Sequence, residues 1–266
     1  MKRIFVSLFV LLITGFNVFN VSDCIGDDFK NTEEAIRLQY EEFTKSISSV
    51  HMKQDIATYM PQGTMETKAD IFIKGQKMRM DSVMSLPGND KMPPGMENIT
   101  TTIIYNGNKM WMIMPFVGKI EVPVKDQLKQ QMHMNWWEFI STNMEIIGTE
   151  KIDGIDCYVL NSKSKGKLSG FDKIWLDVDG FVIVKSEAKG PNGQQYIMKA
   201  TDVRLVNNKW KFPYKMSMYV NGKFISDFRT ESIQINQDIS DTLFDPNSIE
   251  APSINDMMQN MMKQKQ

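Results

Sequence analysis

The chain has 266 residues, with 31 Lys and Arg against 32 Asp and Glu and a formal net charge of −1. This balance argues against a nucleic-acid binder, which needs a basic patch or stripe. The length fits one all-β domain of roughly 200–250 residues with a substantial core.

The first residues read as an export signal. Lys2 and Arg3 make a positive start, and Ile4 to Phe19 is an almost uncharged apolar run. A membrane span needs about 20 predominantly apolar residues, so a retained anchor helix is the lesser reading. Val21-Ser22-Asp23-Cys24 carries the cysteine of a bacterial lipoprotein signal, but Asp23 stands where a small residue is wanted. Ordinary secretion with cleavage after Gly26 is therefore favoured, and an outer-membrane lipoprotein anchored through Cys24 is the alternative. The expected organisation is a signal peptide over 1–26, a folded domain over 27–246 and a Met-rich tail over 247–266. A mature chain cut after Gly26 keeps only Cys157, whereas an unlipidated, surviving Cys24 would allow a Cys24–Cys157 bridge in an oxidising compartment.

Beyond the signal, Glu33 to Val50 predicts an amphipathic helix. Ile36, Tyr40, Phe43, Ile47 and Val50 recur at three- or four-residue spacing, with Asn31 or Thr32 as cap. Glu41-Glu42 falls on its solvent side. From His51 the pattern changes to period two, punctuated by Asn106-Gly107, Asp153-Gly154, Asp179-Gly180, Asn192-Gly193 and Asn221-Gly222. Such pairs tolerate the positive φ of tight hairpins, so they predict an antiparallel meander. The predicted strands are Lys53–Tyr59, Thr64–Lys74, Lys77–Met84, Ile99–Tyr105, Lys109–Met114, Gly118–Val122, Met144–Lys151, Ile155–Ser162, Lys173–Val178, Val182–Lys189, Gln195–Val206, Lys211–Val220 and Lys223–Ile235. So large a sheet must curl or close to protect its edges.

Asp126 to Ser141 interrupts the strands with Leu128, Met132, Trp136 and Phe139 or Ile140 on one helical stripe, which predicts an inserted helix. Leu86–Pro94 and the residues after Asp245 read as loops. Lys163-Ser164-Lys165-Gly166-Lys167 reads as a solvated hairpin loop.

Nothing in the chain looks catalytic. His51 and His133 are the only histidines, and neither has a recognisable catalytic context; nucleophile-elbow, zincin, Walker and paired-cysteine patterns are absent. Asp177-Val178-Asp179-Gly180 starts like a calcium loop but lacks the later ligands, and reads better as a strand end entering a turn.

The 22 methionines are the compositional anomaly. Thioethers suit Cu(I), and Met110, Met112, Met114 and the Met132-His133-Met134 triplet could supply them. Methionine is also a deformable apolar filler for surfaces that accept varied hydrophobic shapes. These residues spread along the whole chain instead of clustering, which favours the apolar surface. Alternation assigns the faces: Lys77, Arg79 and Asp81 mark solvent, so Met78 and Met80 point inward. Met216 and Met218 likewise oppose Lys215 and Tyr219, and Ile174, Leu176 and Val178 oppose Lys173 and Asp177. A sheet curled around such a surface beneath a helix can hold a dry cavity suited to acyl chains. Trp111 and Ile113 make the other side of their strand apolar too. Either another part of the chain covers it, the Met-rich tail being one candidate, or inside and outside are reversed on this strand.

The order of elements resembles the periplasmic lipoprotein carrier LolA and its relatives. The resemblance covers most of the mature chain and is carried by "ADIFIKGQKMRMDS" and "YNGNKMWMIMPFVGKIEVPVKD" within Ala69–Asp126. Later, "IWLDVDGFVIVKSEA", "KWKFPYKMSMYVNGK" and "ISDTLFDP" are similar to phrases of the wider lipoprotein-sorting superfamily.

The resemblance implies a mainly β (α+β) fold, a curled antiparallel incomplete β-barrel with an N-terminal helix and a mid-chain lid helix. It implies a non-enzymatic periplasmic carrier or binder of lipoprotein or lipid acyl chains, with no cofactor and an inner- or outer-membrane delivery partner. The expected wall is Ile71, Ile73, Met78, Met80, Met110, Met112, Met114, Met216 and Met218, and the expected lid uses Leu128, Met132 and Trp136. The alternatives are a Met-rich Cu(I)-binding protein and an envelope sensor or interaction protein of the same fold. Well-studied carriers have a basic residue, usually Arg followed by Pro, directly after the position of Lys74. This chain has Gly75-Gln76 there, so the family's release mechanism does not carry over.

Overall fold

A computed structural model of the chain describes residues 29–87, 98–114, 117–124, 143–163, 171–190 and 192–250. The predicted signal, the mid-chain helix with Leu128, Met132 and Trp136, residues 164–167 of the basic cluster and residues 251–266 of the tail lie outside them. One helix, α1 (Phe29–Ser46), precedes thirteen strands among the described residues. These are β1 (Ser49–Met60), β2 (Gly63–Lys74), β3 (Lys77–Ser85), β4 (Asn98–Tyr105), β5 (Met110–Met114), β6 (Gly118–Val122), β7 (Met144–Ile152), β8 (Ile155–Ser162), β9 (Lys173–Asp177), β10 (Ile183–Lys189), β11 (Gln195–Val206), β12 (Trp210–Val220) and β13 (Lys223–Ile235). The strand order is β6-β5-β4-β3-β2-β1-β13-β12-β11-β10-β9-β8-β7. The sheet does not close: β6 and β7 are its two ends. Each predicted strand is present, and the antiparallel meander is as expected.

The turns follow from their residues. Asp153 and Gly154 join β7 to β8 at φ 49° and 91°, and Asn221 and Gly222 join β12 to β13 at φ 50° and 75°. These are the left-handed angles that two-residue hairpins demand and that Asn, Asp and Gly tolerate. At Asp179-Gly180 the left-handed residue is instead Phe181, at φ 51°. There Asp177 holds the turn, its carboxylate accepting the Asp179 backbone N–H at 2.9 Å.

The first helix is displaced from its expected span. It begins at Phe29, so Asn31 and Thr32 lie within it and do not cap it, and it stops at Ser46. Val50 belongs to β1, in register with Ile73. Hydrogen bonding ends the helix: the Ser48 N–H donates to Asn236 Oδ1 at 2.8 Å and Ser49 Oγ to the Gln237 carbonyl at 2.6 Å. These partners offer the backbone an alternative to another helical turn. The solvent face is as expected, with Arg37 bridging Glu34 and Glu41, and Glu42 accepting from Lys209 Nζ at 2.6 Å.

The chain divides into two compact units, one comprising residues 1–47 and 126–230, the other residues 48–125 and 231–266. In the second unit, 3-10 turns at Asp241–Phe244 and Pro246–Ser248 follow β13. The segment after Asp245, expected as loop, buries Pro246 and packs Ile249 on the core.

Candidate functional site

In an antiparallel sheet, residues directly opposite one another share a face, so register traces each row of side chains. In the second unit one row runs Met52, Ile71, Met80, Ile103, Met112, Ile120 across β1 to β6. The adjacent row runs Val50, Ile73, Met78, Tyr105, Met110, Val122. Expected wall residues Ile71, Ile73, Met78, Met80 and Met110 are buried, whereas Met112 and Met114 toward the β6 edge are half-buried. All of them lie on one face. A third row, Gln54, Ala69, Ser82, Thr101, is buried but polar at every position except Ala69, so the apolar patch fades along the strands.

The opposite face of this unit has its own cover. Ile104 and Ile113 form a buried cluster with Ile239 and Phe244, against which Phe72, Trp111, Leu243 and Ile249 pack. Ile239, Leu243, Phe244 and Ile249 therefore cover the side of the sheet that carries Trp111 and Ile113, opposite the methionines. Polar neighbours on this covered face are matched: Asp70 and Asp81 stand opposite each other, but Asp70 bonds His51 at 2.6 Å, and Asp81 accepts from Arg79 at 2.8 Å and Thr102 at 2.6 Å. His51 also stacks on Phe72 at 4.4 Å, which absorbs it into structure.

The first unit repeats the pattern. One row runs Ile146, Leu160, Ile174, Ser186, Met198, Met218, Ser226 from β7 to β13. All but Ile146 are buried. Met216 stands beside Met218 on the same face, opposite Phe228, which is 1 % exposed.

The other face of this unit departs from expectation at Asp177, which was assigned to solvent. It is buried and accepts from Lys211 Nζ at 2.6 Å. β9 is covered on both faces, since Trp175 packs with Cys157, Val159 and Val184 on the Asp177 side. Lys173 and Lys185 lie over the Trp175 ring at 4.4 and 4.0 Å, and its indole N–H donates to Glu150 at 2.8 Å. Cys157 is a free thiol within this cluster. Burial, then the Asp177 carboxylate, pushes its pKa up to about 12.

On α1 the buried stripe contains Thr32, Ile36, Gln39 and Tyr40, and Ile47 just after the helix is buried too. Burial raises the Tyr40 phenol well above its usual pKa. Gln39 is 4 % exposed, and neither atom of its amide has a hydrogen-bond partner among the described residues. Sequence reasoning missed Gln39 because it reads glutamine as solvent-facing, although its spacing of three from Ile36 puts it on the stripe. Val50, Met52, Ile103, Tyr105 and Met198 were also missed as face residues. The period-two pattern of β1 was hidden by the assignment of Val50 to the helix.

The methionine ladder makes a poor thioether site. Met110 and Met112 stand opposite Tyr105, Ile103, Val122 and Ile120, none of which offers a further soft ligand. Among the described residues no group of three His, Cys, Asp or Glu could hold a metal ion.

A family model described only as an uncharacterized protein matches residues 139–251. No curated protein matches the sequence. Among solved structures, a LolA superfamily protein from Nitrosomonas europaea superposes with a TM-score of 0.54 at 17% identity, covering 82% of this chain and 99% of that one. The fold is LolA-like. A domain from Vibrio parahaemolyticus, described as an outer membrane lipoprotein-sorting protein domain, gives 0.55 at 12% identity over 82% of this chain and 95% of its own. A DUF1329 family protein from Desulfovibrio piger gives 0.58 at 12% identity over 83% and 98%. At such identities the likeness establishes the LolA-like fold, and function has to be argued from this chain's own residues.

Proposed function

We propose that this protein is an exported, non-enzymatic carrier or binder that shelters acyl chains of lipids or lipoproteins against the methionine-rich face of its LolA-like sheet. The observation that carries the reading is the pair of rows Met52-Ile71-Met80-Ile103-Met112 and Val50-Ile73-Met78-Tyr105-Met110, which place sulfur-bearing, deformable side chains beside β-branched ones on a single face. Such a surface adapts to varied hydrocarbon shapes. Each sheltered methylene contributes about 0.8 kcal/mol, so one long chain is held by several kcal/mol without any specific chemistry. The lipoprotein-sorting description of the Vibrio parahaemolyticus domain agrees with this reading.

The wall consists of Ile71, Ile73, Met78, Met80, Met110, Met112 and Met114, with Met216 and Met218 lining the first unit's own face. Leu128, Met132 and Trp136 are the proposed lid. Residues 1–26 direct the chain to the cell envelope, where it meets a membrane delivery partner. Organic extraction of the protein purified from its native envelope, followed by mass spectrometry, tests the reading. It predicts stoichiometric acyl lipid or lipoprotein, and extracts without lipid would count against it.

A further inference from the structure

The segment after β13 crosses the second unit's sheet from β1 to β6, on the side opposite the methionines, and each strand it passes gives it a contact. Ser49 Oγ on β1 donates to the Gln237 carbonyl at 2.6 Å and Lys74 on β2 to the Ile239 carbonyl at 2.8 Å. Lys77 and Arg79 on β3 donate to the Asp241 carboxylate at 2.8 Å and the Leu243 carbonyl at 3.3 Å. Phe244 packs on Ile104 of β4 and Ile113 of β5, and Lys119 on β6 donates to Asn247 Oδ1 at 3.1 Å. The described chain therefore ends at Glu250, three positions after a residue held on the last strand of the sheet.

On the other side of that edge the methionine face is incompletely covered. Met112, Met114 and Val122 are half-buried and Ile120, opposite Met112, is 40 % exposed, whereas Met78, Met80 and Ile103 further in are at most 6 % exposed. Among the described residues no strand pairs with the outer edge of β6. Residues 251–266 carry Met257, Met258, Met261 and Met262, a spacing that sets all four on one side of a helix. Ten positions separate Asn247 from Met257, a reach of at most about 33–36 Å. Rounding the edge of one sheet layer takes only about 10 Å.

We propose that residues 257–262 pass round β6 and dock on Met112, Met114, Ile120 and Val122, where they compete with acyl chains as a built-in occupant of the open end of the methionine face. The competition rests on the acyl-carrier reading; the docking does not. Methionine suits both, because its unbranched, deformable side chain fills the gaps of another methionine surface without a fixed fit.

The test compares the delipidated full-length protein with a full-length variant carrying Met257→Gln, Met258→Gln, Met261→Gln and Met262→Gln, which alters no described residue. Peroxide oxidation followed by peptide mapping reads the docking at each methionine, and titration with a fluorescent fatty acyl probe reads the competition. In the variant Met112 and Met114 are expected to oxidise about three- to tenfold faster, with Met110 unchanged, and the apparent probe Kd to fall by the same factor, as follows from a tail that occupies the face roughly 70–90 % of the time. Equal oxidation of Met112 and Met114 in both proteins would overturn the docking. Protection that rises with protein concentration in both would overturn it too, by assigning the edge to a second copy of the chain. Faster oxidation with an unchanged probe Kd would overturn the competition. Failure of both proteins to bind the probe saturably would sink the carrier reading, while the oxidation rates would still decide the docking.

Discussion

Lys74 at the end of β2 grips Asp241 beyond β13: its ammonium lies 3.1 Å from the Asp241 carboxylate and donates at 2.8 Å to the Ile239 carbonyl. Lys77 reaches the same carboxylate at 2.8 Å. These contacts join β2 and β3 to the segment that covers Ile104 and Ile113.

Hydrogen bonds from Lys77 and then Lys74 hold the Asp241 carboxyl below its usual pKa. A depressed carboxyl contributes stability that is present above the unfolded-state pKa, ordinarily about 3.9, and is lost as pH falls through the lower folded value. Asp241→Asn should therefore lower Tm slightly at pH 7, by an amount that shrinks in high salt because the carboxylate is exposed. The difference from wild type should close as pH drops below the ordinary carboxylate range. A Tm gap that persists unchanged into strong acid would show that Asp241 acts through packing instead.

Phe244 is 2 % exposed and packs against Ile104 and Ile113. Phe244→Ala should cost about 3–5 kcal/mol in urea unfolding, the range for emptying a buried aromatic site. A loss below about 1 kcal/mol would mean that the covering segment does not pack on this face in solution.

The thirteen strands were legible because the Asn-Gly and Asp-Gly pairs mark hairpins locally and alternation marks the strands between them. Gly118–Val122, Ile155–Ser162, Gln195–Val206 and Lys223–Ile235 agree with their predicted bounds residue for residue. Features set by distant partners were not legible in the same way. The end of α1 depends on Asn236 and Gln237, nearly 190 positions away in sequence. The burial of Asp177 depends on Lys211, and the cover over Trp111 depends on Leu243 and Ile249. Met78 and Met80 are buried as the alternation in "KMRMD" predicts, but Arg79 and Asp81, expected in solvent, lie on the covered face, where Arg79 also donates to the Leu243 carbonyl, and the flanking members of the methionine face on β1 and β4 needed register to find. The burial of Gln39 was invisible because glutamine reads as solvent-facing, and only the three-dimensional surroundings place it at 4 % exposure.

Cys157 is 0 % exposed, and its thiol is pushed up to about 12, so it carries almost no thiolate at neutral pH. Peptide mapping after treatment with a thiol reagent at pH 7.5 should find Cys157 unmodified in the native protein and fully modified in 6 M guanidinium. Rapid native labelling at Cys157 would contradict its place beneath Trp175 and Val184.

The central claim is that the face carrying Met78, Met80 and Met110 takes up acyl chains. Titrating the delipidated full-length protein with a fluorescent fatty acyl probe tests it most directly. The account predicts saturable, stoichiometric binding with the blue-shifted emission of a probe removed from water. Emission that rises only linearly with probe and never saturates would contradict it.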